Sequence, residues 1–135
     1  MILRHQMMGL LVDACPSFAD ELEEGMARDY LDDQGNTLCY VALGDLARHL
    51  LSLFSEGKLD EFPATFAVIE RLHIEGDPYV RETATIGLLE SIQNNAEHRG
   101  VEKALVAQWL GPESRKWWDR LEDFWNGDVL ALRKD

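Results

Sequence analysis

The sequence predicts an all-α fold of about six to seven helices, in antiparallel hairpins forming a HEAT-like right-handed stack or an irregular helical bundle. Three observations carry that prediction. Apolar residues recur at steps of three and four in each long segment. Proline, glycine and short polar caps fall between those stripes. No segment of useful length alternates as a strand would; LCYVAL, 38–43, comes nearest and lies inside a longer helical stripe.

The first helix runs from about Ile2 to Ala14 and stops at Pro16. Ser17 then reads as the cap of a second, FADELEEGMARDYL, with Asp20 as a weaker capping-box partner. Phe18, Leu22, Met26 and Tyr30 recur at four-residue steps there, and the opposite face is acidic. DDQGN, 32–36, reads as a loop. A third helix, from about Thr37 to Phe54, carries the stripe Leu38, Ala42, Leu46, Leu50 and Phe54, and Gly57 suits a left-handed cap after it. The fourth spans about Glu61 to His73, with Asp60 as its expected cap and Pro63 tolerated in the first turn. Phe62, Phe66, Ile69 and His73 share one of its faces.

DPYVRETATIGLLESI, 77–92, begins the next. Asp77 caps it, and Pro78 takes the first helical position, where a missing N–H costs nothing. Val80, Ala84, Gly87, Leu88 and Ile92 form the expected buried face, with Arg81, Glu82, Thr85 and Gln93 mostly off it. Gly87 costs about 0.8–1 kcal/mol of helix propensity relative to alanine, which is offset only where a neighbouring helix comes close. A short helix from Val101 to Leu110 follows, then a break at Gly111-Pro112. The last helix, PESRKWWDRLEDFWN, sets Trp117, Leu121, Phe124 and Trp125 on one stripe, with Trp118 at the margin and expected to show an edge. Gly127 closes it, and the tail DVLALRKD is undecided between helix and coil.

The stretch Asp77-Pro78-Tyr79-Val80-Arg81, followed by Ala84, Leu88 and Ile92, resembles the second helix of a HEAT repeat. The resemblance covers one helix, and it implies that Arg81 holds neighbouring repeats together rather than a ligand. A second resemblance is broader. Over roughly 38–125, with LESIQNN and LGPESRKWWDRLEDFW, the chain resembles a bacterial domain of unknown function. Compact, acidic, helical proteins of that kind are similar to immunity proteins of contact-dependent and polymorphic toxin systems. The resemblance implies a protein that neutralises a cognate toxin by stoichiometric binding, commonly over the toxin's active site, with no catalysis of its own. The shared motif is made of core residues and does not identify the binding face.

Composition narrows the partners. The 135 residues suit a single domain, 1–135, large enough to bury a core without metal or disulfides. Twenty-five acidic residues face 13 Lys and Arg, a formal net charge of -12. The excess leans N-terminal: residues 1–67 carry 12 acids and 4 bases, and 68–135 carry 13 acids and 9 bases. Such a surface repels nucleic acid and anionic lipid and attracts a basic protein. Cys15 and Cys39 have no disulfide or metal spacing and read as buried free thiols, as a reducing cytosol allows. The apolar run Met7–Val12 is too short for a secretory core and is interrupted by Asp13, and no window approaches a membrane span. The expected location is therefore the cytoplasm.

No catalytic or cofactor motif stands out. Glu70-x-x-His73 has di-iron spacing, but a second copy is absent, so neither a metal nor another cofactor is expected. Arg115, Lys116 and Arg120 read as a solvated face. The best candidate is an acidic run: Asp20, Glu21, Glu23, Glu24, Asp29, Asp32 and Asp33, against the single base Arg28. Like charges so placed repel one another, so the arrangement fits a docking surface for a basic toxin, above all a nuclease with a positive groove. A helical adaptor for some other protein is the alternative, and a small ligand-binding or enzymatic bundle is the third.

Overall fold

The computed structural model describes residues 1–127 and 132, and among these every regular element is helical. Eight α-helices follow in order: α1 Arg4–Ala14, α2 Ala19–Arg28, α3 Cys39–Ser55, α4 Phe62–Glu75, α5 Pro78–Glu82, α6 Glu90–Ala96, α7 Lys103–Ala107 and α8 Pro112–Trp125. A π-helical segment, Thr83–Leu89, joins α5 to α6 without a break, so 78–96 is one continuous rod. The tail 128–135 lies outside the described residues except for Leu132.

Local chemistry explains the ends. Asp77 caps α5, accepting the Val80 N–H at 2.8 Å, with Pro78 at the first position as expected. Gly57 takes the left-handed conformation after α3. Two expected caps are not used. The hydroxyl of Ser17 does not cap α2; it donates to Glu61 Oε1 at 2.6 Å. Asp60 does not cap α4, whose start lies at Glu61. Tertiary partners of higher charge outcompeted the local bonds in the first case.

The packing is that of an irregular bundle. α3 lies along the π segment and α6, while α4 packs on α1, α5 and α8. The stripe Ala42, Leu43, Leu46, Leu50 of α3 and the face Val80, Ala84, Leu88, Ile92 of the rod are all buried where these two meet. Gly87 sits at this seam. A β-carbon there would stand 3.2 Å from Leu43 Cδ1 and 3.3 Å from Tyr40 Cδ1. The glycine thus permits the close approach that its helix cost implied. The chain's start is pinned to the far end of α4, where Ile2 N donates to Glu75 O at 2.7 Å and Asp77 N to Ile2 O at 2.9 Å.

Three sequence expectations need correction. Thr85 and Gln93 are buried rather than off the packed face, because the rod is covered on two sides. Thr85 Oγ1 meets His73 of α4, and Gln93 Nε2 donates to the Trp118 carbonyl of α8. Trp118 is 1 % exposed, whereas Trp125 is 56 % exposed, because α8 turns its Trp118–Leu121 side to the rod and α4. Arg81 does not bridge repeats; its Nε donates to Gly76 O, just before its own helix, at 2.7 Å. Cys15 and Cys39 are buried and unpaired. Burial, then Glu61, pushes the Cys15 thiol up to about 11.

Replacing Gly87 by leucine should cost about 1–3 kcal/mol, since the larger side chain must displace Leu43 and Tyr40 from a filled seam. Urea unfolding measures this. An unchanged midpoint would show that α3 and the rod are not in close contact there.

Candidate functional site

The acidic run is laid out along α2 and the loop that follows. Asp20 and Glu21 occupy the first turn of α2, where negative charge complements the helix dipole. Glu23 and Glu24 follow on the same helix, Asp29 stands just past its end, and Asp32 and Asp33 belong to the loop. All seven side chains are exposed, while Leu22 and Met26 on the other face are partly buried against the core. Arg28 pairs with Glu24 at 3.4 Å. The loop is well held: Asp32 Oδ1 accepts the Gln34 and Asn36 N–H groups, each at 2.9 Å, and Leu31 bridges to Thr37. The Asn36 and Gln34 N–H groups hold the Asp32 carboxyl below its ordinary range. Leu31, Tyr40 and Val41, on the same loop and the first turn of α3, are exposed.

A second polar centre lies between α4, the rod and α8. Glu70 of α4 reaches the start of α8, where its carboxylate accepts from Glu113 N at 2.9 Å, Ser114 N at 2.8 Å and Ser114 Oγ at 2.8 Å. Those donors are ones that a helix start leaves without intrahelical partners. Burial alone raises the Glu70 pKa, but the Ser114 and Glu113 N–H groups and the Ser114 hydroxyl outweigh it, and the net shift is downward. Gly111 makes room: a β-carbon there would lie 2.5 Å from Glu70 Cδ.

His73 stands one turn further along α4. Its Nδ1 is 2.9 Å from Ile69 O and its Nε2 is 3.1 Å from Thr85 Oγ1. A carbonyl can only accept, so these partners assign the proton to Nδ1, and Thr85 donates to Nε2. Burial holds the His73 pKa below its usual value, so the ring is neutral at neutral pH. Of this pair with metal-like spacing, Glu70 is engaged with α8, and His73 with the rod and with Ser114 of α8.

Ser17, His49 and Glu61 also meet, and their order matters. Ser17 Oγ gives its proton to Glu61, so His49 Nε2, 2.7 Å away, must donate to Ser17.

Beside the His73–Thr85 contact the surface opens into a cleft of about 780 Å³. Among the described residues, Arg81, Thr85, Lys116, Trp117 and Arg120 line it, together with Glu82 and Glu113. The face read as solvated is therefore divided: Arg115 pairs with Asp119 at 3.0 Å, and Lys116 and Arg120 turn to the cleft. Sequence reasoning missed this grouping because it joins residues from 73 to 120 across three elements. The Glu70-x-x-His73 spacing was the one visible signal.

One family model, described as a domain of unknown function (DUF7674), matches residues 8–126, and the chain belongs to that family. No match was found among curated proteins or among solved structures. No described helix is long and apolar enough to cross a membrane.

Glu70→Gln should lower stability at neutral pH by about 1.5–3 kcal/mol, because hydrogen bonds to a charged acceptor are lost at a helix start. The Glu70 contribution is fully present above the unfolded pKa near 4.5 and fades as pH falls through the lower folded value. The gap between parent and variant should therefore narrow as pH falls below about 4.5 and close only below the folded value. Equal gaps at pH 7 and at the acid end would deny the carboxylate this role.

Proposed function

We propose that the protein is an immunity protein that neutralises a cognate bacterial toxin by stoichiometric binding over the toxin's active site. One observation carries this reading. Asp20, Glu21, Glu23, Glu24, Asp29, Asp32 and Asp33 are exposed together on α2 and its loop, with only Arg28 among them. An exposed i,i+4 pair such as Arg28–Glu24 neutralises little of that field. The remaining charge is available to a basic partner and raises the rate of encounter. A nuclease is the fitting partner, because its substrate groove must be positive and carboxylates can stand in for phosphates there.

Charge alone gives speed and orientation more than affinity. Leu31 on the loop and Tyr40 and Val41 in the first turn of α3 are exposed and would supply the apolar and aromatic contact that a lasting interface needs. The backbone bonds to Asp32 keep the loop in one shape, which reduces the ordering cost of binding. In this reading the action is occlusion, and the protein is not an enzyme.

Recovery of the tagged protein from its native host, followed by mass spectrometry, tests the reading directly. A stoichiometric, basic toxin fragment is expected; an assembly or regulatory complex would point to a helical adaptor. Reversal of Asp20, Glu21, Glu23 and Glu24 to lysine should slow association with the toxin about tenfold or more at low salt and less at high salt. Protection of toxin-expressing cells should fall in step. A correctly folded variant that protects as well as the parent would remove the acidic face from the interface.

A further inference from the structure

The cleft between α4, the rod and α8 departs from the rest of this acidic molecule. Arg81, Lys116 and Arg120 line it, against Glu82 and Glu113. Glu113 is already engaged, 2.9 Å from Lys116. The two arginines are anchored by parts of the group that a ligand does not need. Arg120 lies over the Trp117 ring, its Cζ 4.7 Å from the centroid, in a cation–π contact. A cation–π contact uses the charge of the guanidinium and takes up none of its N–H donors in conventional hydrogen bonds. Arg81 is held by Nε on Gly76 O, which leaves its two terminal amino groups. Among the described residues neither arginine is within ion-pair distance of a carboxylate. Two arginines lining one cleft supply donors of the kind that phosphate oxygens accept.

The wall between them is equally fixed. Thr85 and Ile86 belong to the π segment, and π turns inside α-helices recur at functional sites. Thr85 is held by its bond to the His73 ring. Ile86 and the Trp117 edge give an apolar side, and Glu82 offers an acceptor for a donor on the rest of a ligand.

We propose that this cleft is a binding site for a small phosphate-bearing molecule, with Arg81 and Arg120 gripping the phosphate and Ile86, Trp117 and Glu82 meeting the organic part. The site uses elements other than α2 and its loop, and it stands or falls independently of toxin binding.

The test is titration of the full chain with inorganic phosphate, adenosine 5′-monophosphate and citrate at physiological salt, followed by the indole N–H resonances of the four tryptophans. The nucleotide should shift Trp117, leave the exposed Trp125 unmoved, and saturate at about 1 mM or below. Binding of inorganic phosphate equally well would keep the site and identify its occupant as the free ion. Arg120→Gln should weaken nucleotide binding about tenfold or more. Arg81→Gln should do the same, and thermal unfolding checks that loss of its bond to Gly76 has not opened the fold. No shift with either phosphate probe at about 10 mM, binding of citrate alone, or unchanged affinity in Arg120→Gln would overturn the proposal.

Discussion

Carboxylates of α4 and of Glu61, the residue just before it, hold the starts of other helical segments, and the arrangement of the molecule depends on that. Glu70 accepts two N–H groups and a hydroxyl at the start of α8. Glu61 accepts the Ser17 hydroxyl and lies 3.2 Å from Ser17 N, in the turn that leads into α2. At about 100° per residue their nine-residue separation places them on opposite sides of α4. Each answers donors that a helix start leaves unmatched, and each does so with a charged acceptor in a partly buried place. In both cases burial raises the carboxyl pKa and the hydrogen bonds outweigh it. A single helix thereby fixes both the approach to the acidic element and the helix that forms one wall of the cleft.

The rod 78–96 is the second constraint, because it is covered on two sides. An amphipathic helix with one buried stripe would need no polar residue inside. This one places Thr85 and Gln93 against α4 and α8, so its second interface is partly made of directed bonds. The π segment lies in the middle of that double contact, and side-chain hydroxyls serve its backbone: Thr83 donates to Tyr79 O at 2.6 Å and Ser91 to Gly87 O at 2.7 Å. Such back-bonding accommodates carbonyls displaced from the regular ladder. Gly87 allows α3 to press on one face of the same segment while the cleft opens on the other.

Much of this was legible in the sequence, and what was not has a common cause. Periodicity placed α3, α4 and the rod, whose stripes Leu38–Phe54, Phe62–His73 and Val80–Ile92 each run about three turns or more. Asp77-Pro78 and Gly57 marked their termini through chemistry that is local. Ser17 and Asp60 misled because a cap is local only while no stronger partner arrives from elsewhere, and Glu61 arrived at Ser17. Trp118 was misplaced because a stripe read for one neighbour cannot show a second. The acidic face is legible by sequence because its residues are adjacent in the chain. The cleft is not, because Arg81, Thr85 and Arg120 come together only once α8 has docked on Glu70.

That difference bears on how charge is used. Net charge of -12 predicts repulsion of anions everywhere, and a far-field argument stops there. At distances well inside the ~8 Å screening length at physiological salt, individual groups decide instead. On α2 the carboxylates stand free in solvent, where their sum is felt by an approaching partner and their single contacts are weak. In the cleft two arginines are held by a cation–π contact and a backbone bond, which lowers the freedom left to lose when an anion arrives. The two proposals, attraction of a basic surface at long range and grip on a small anion at short range, are therefore compatible in one chain, because they rest on different elements and act over different distances.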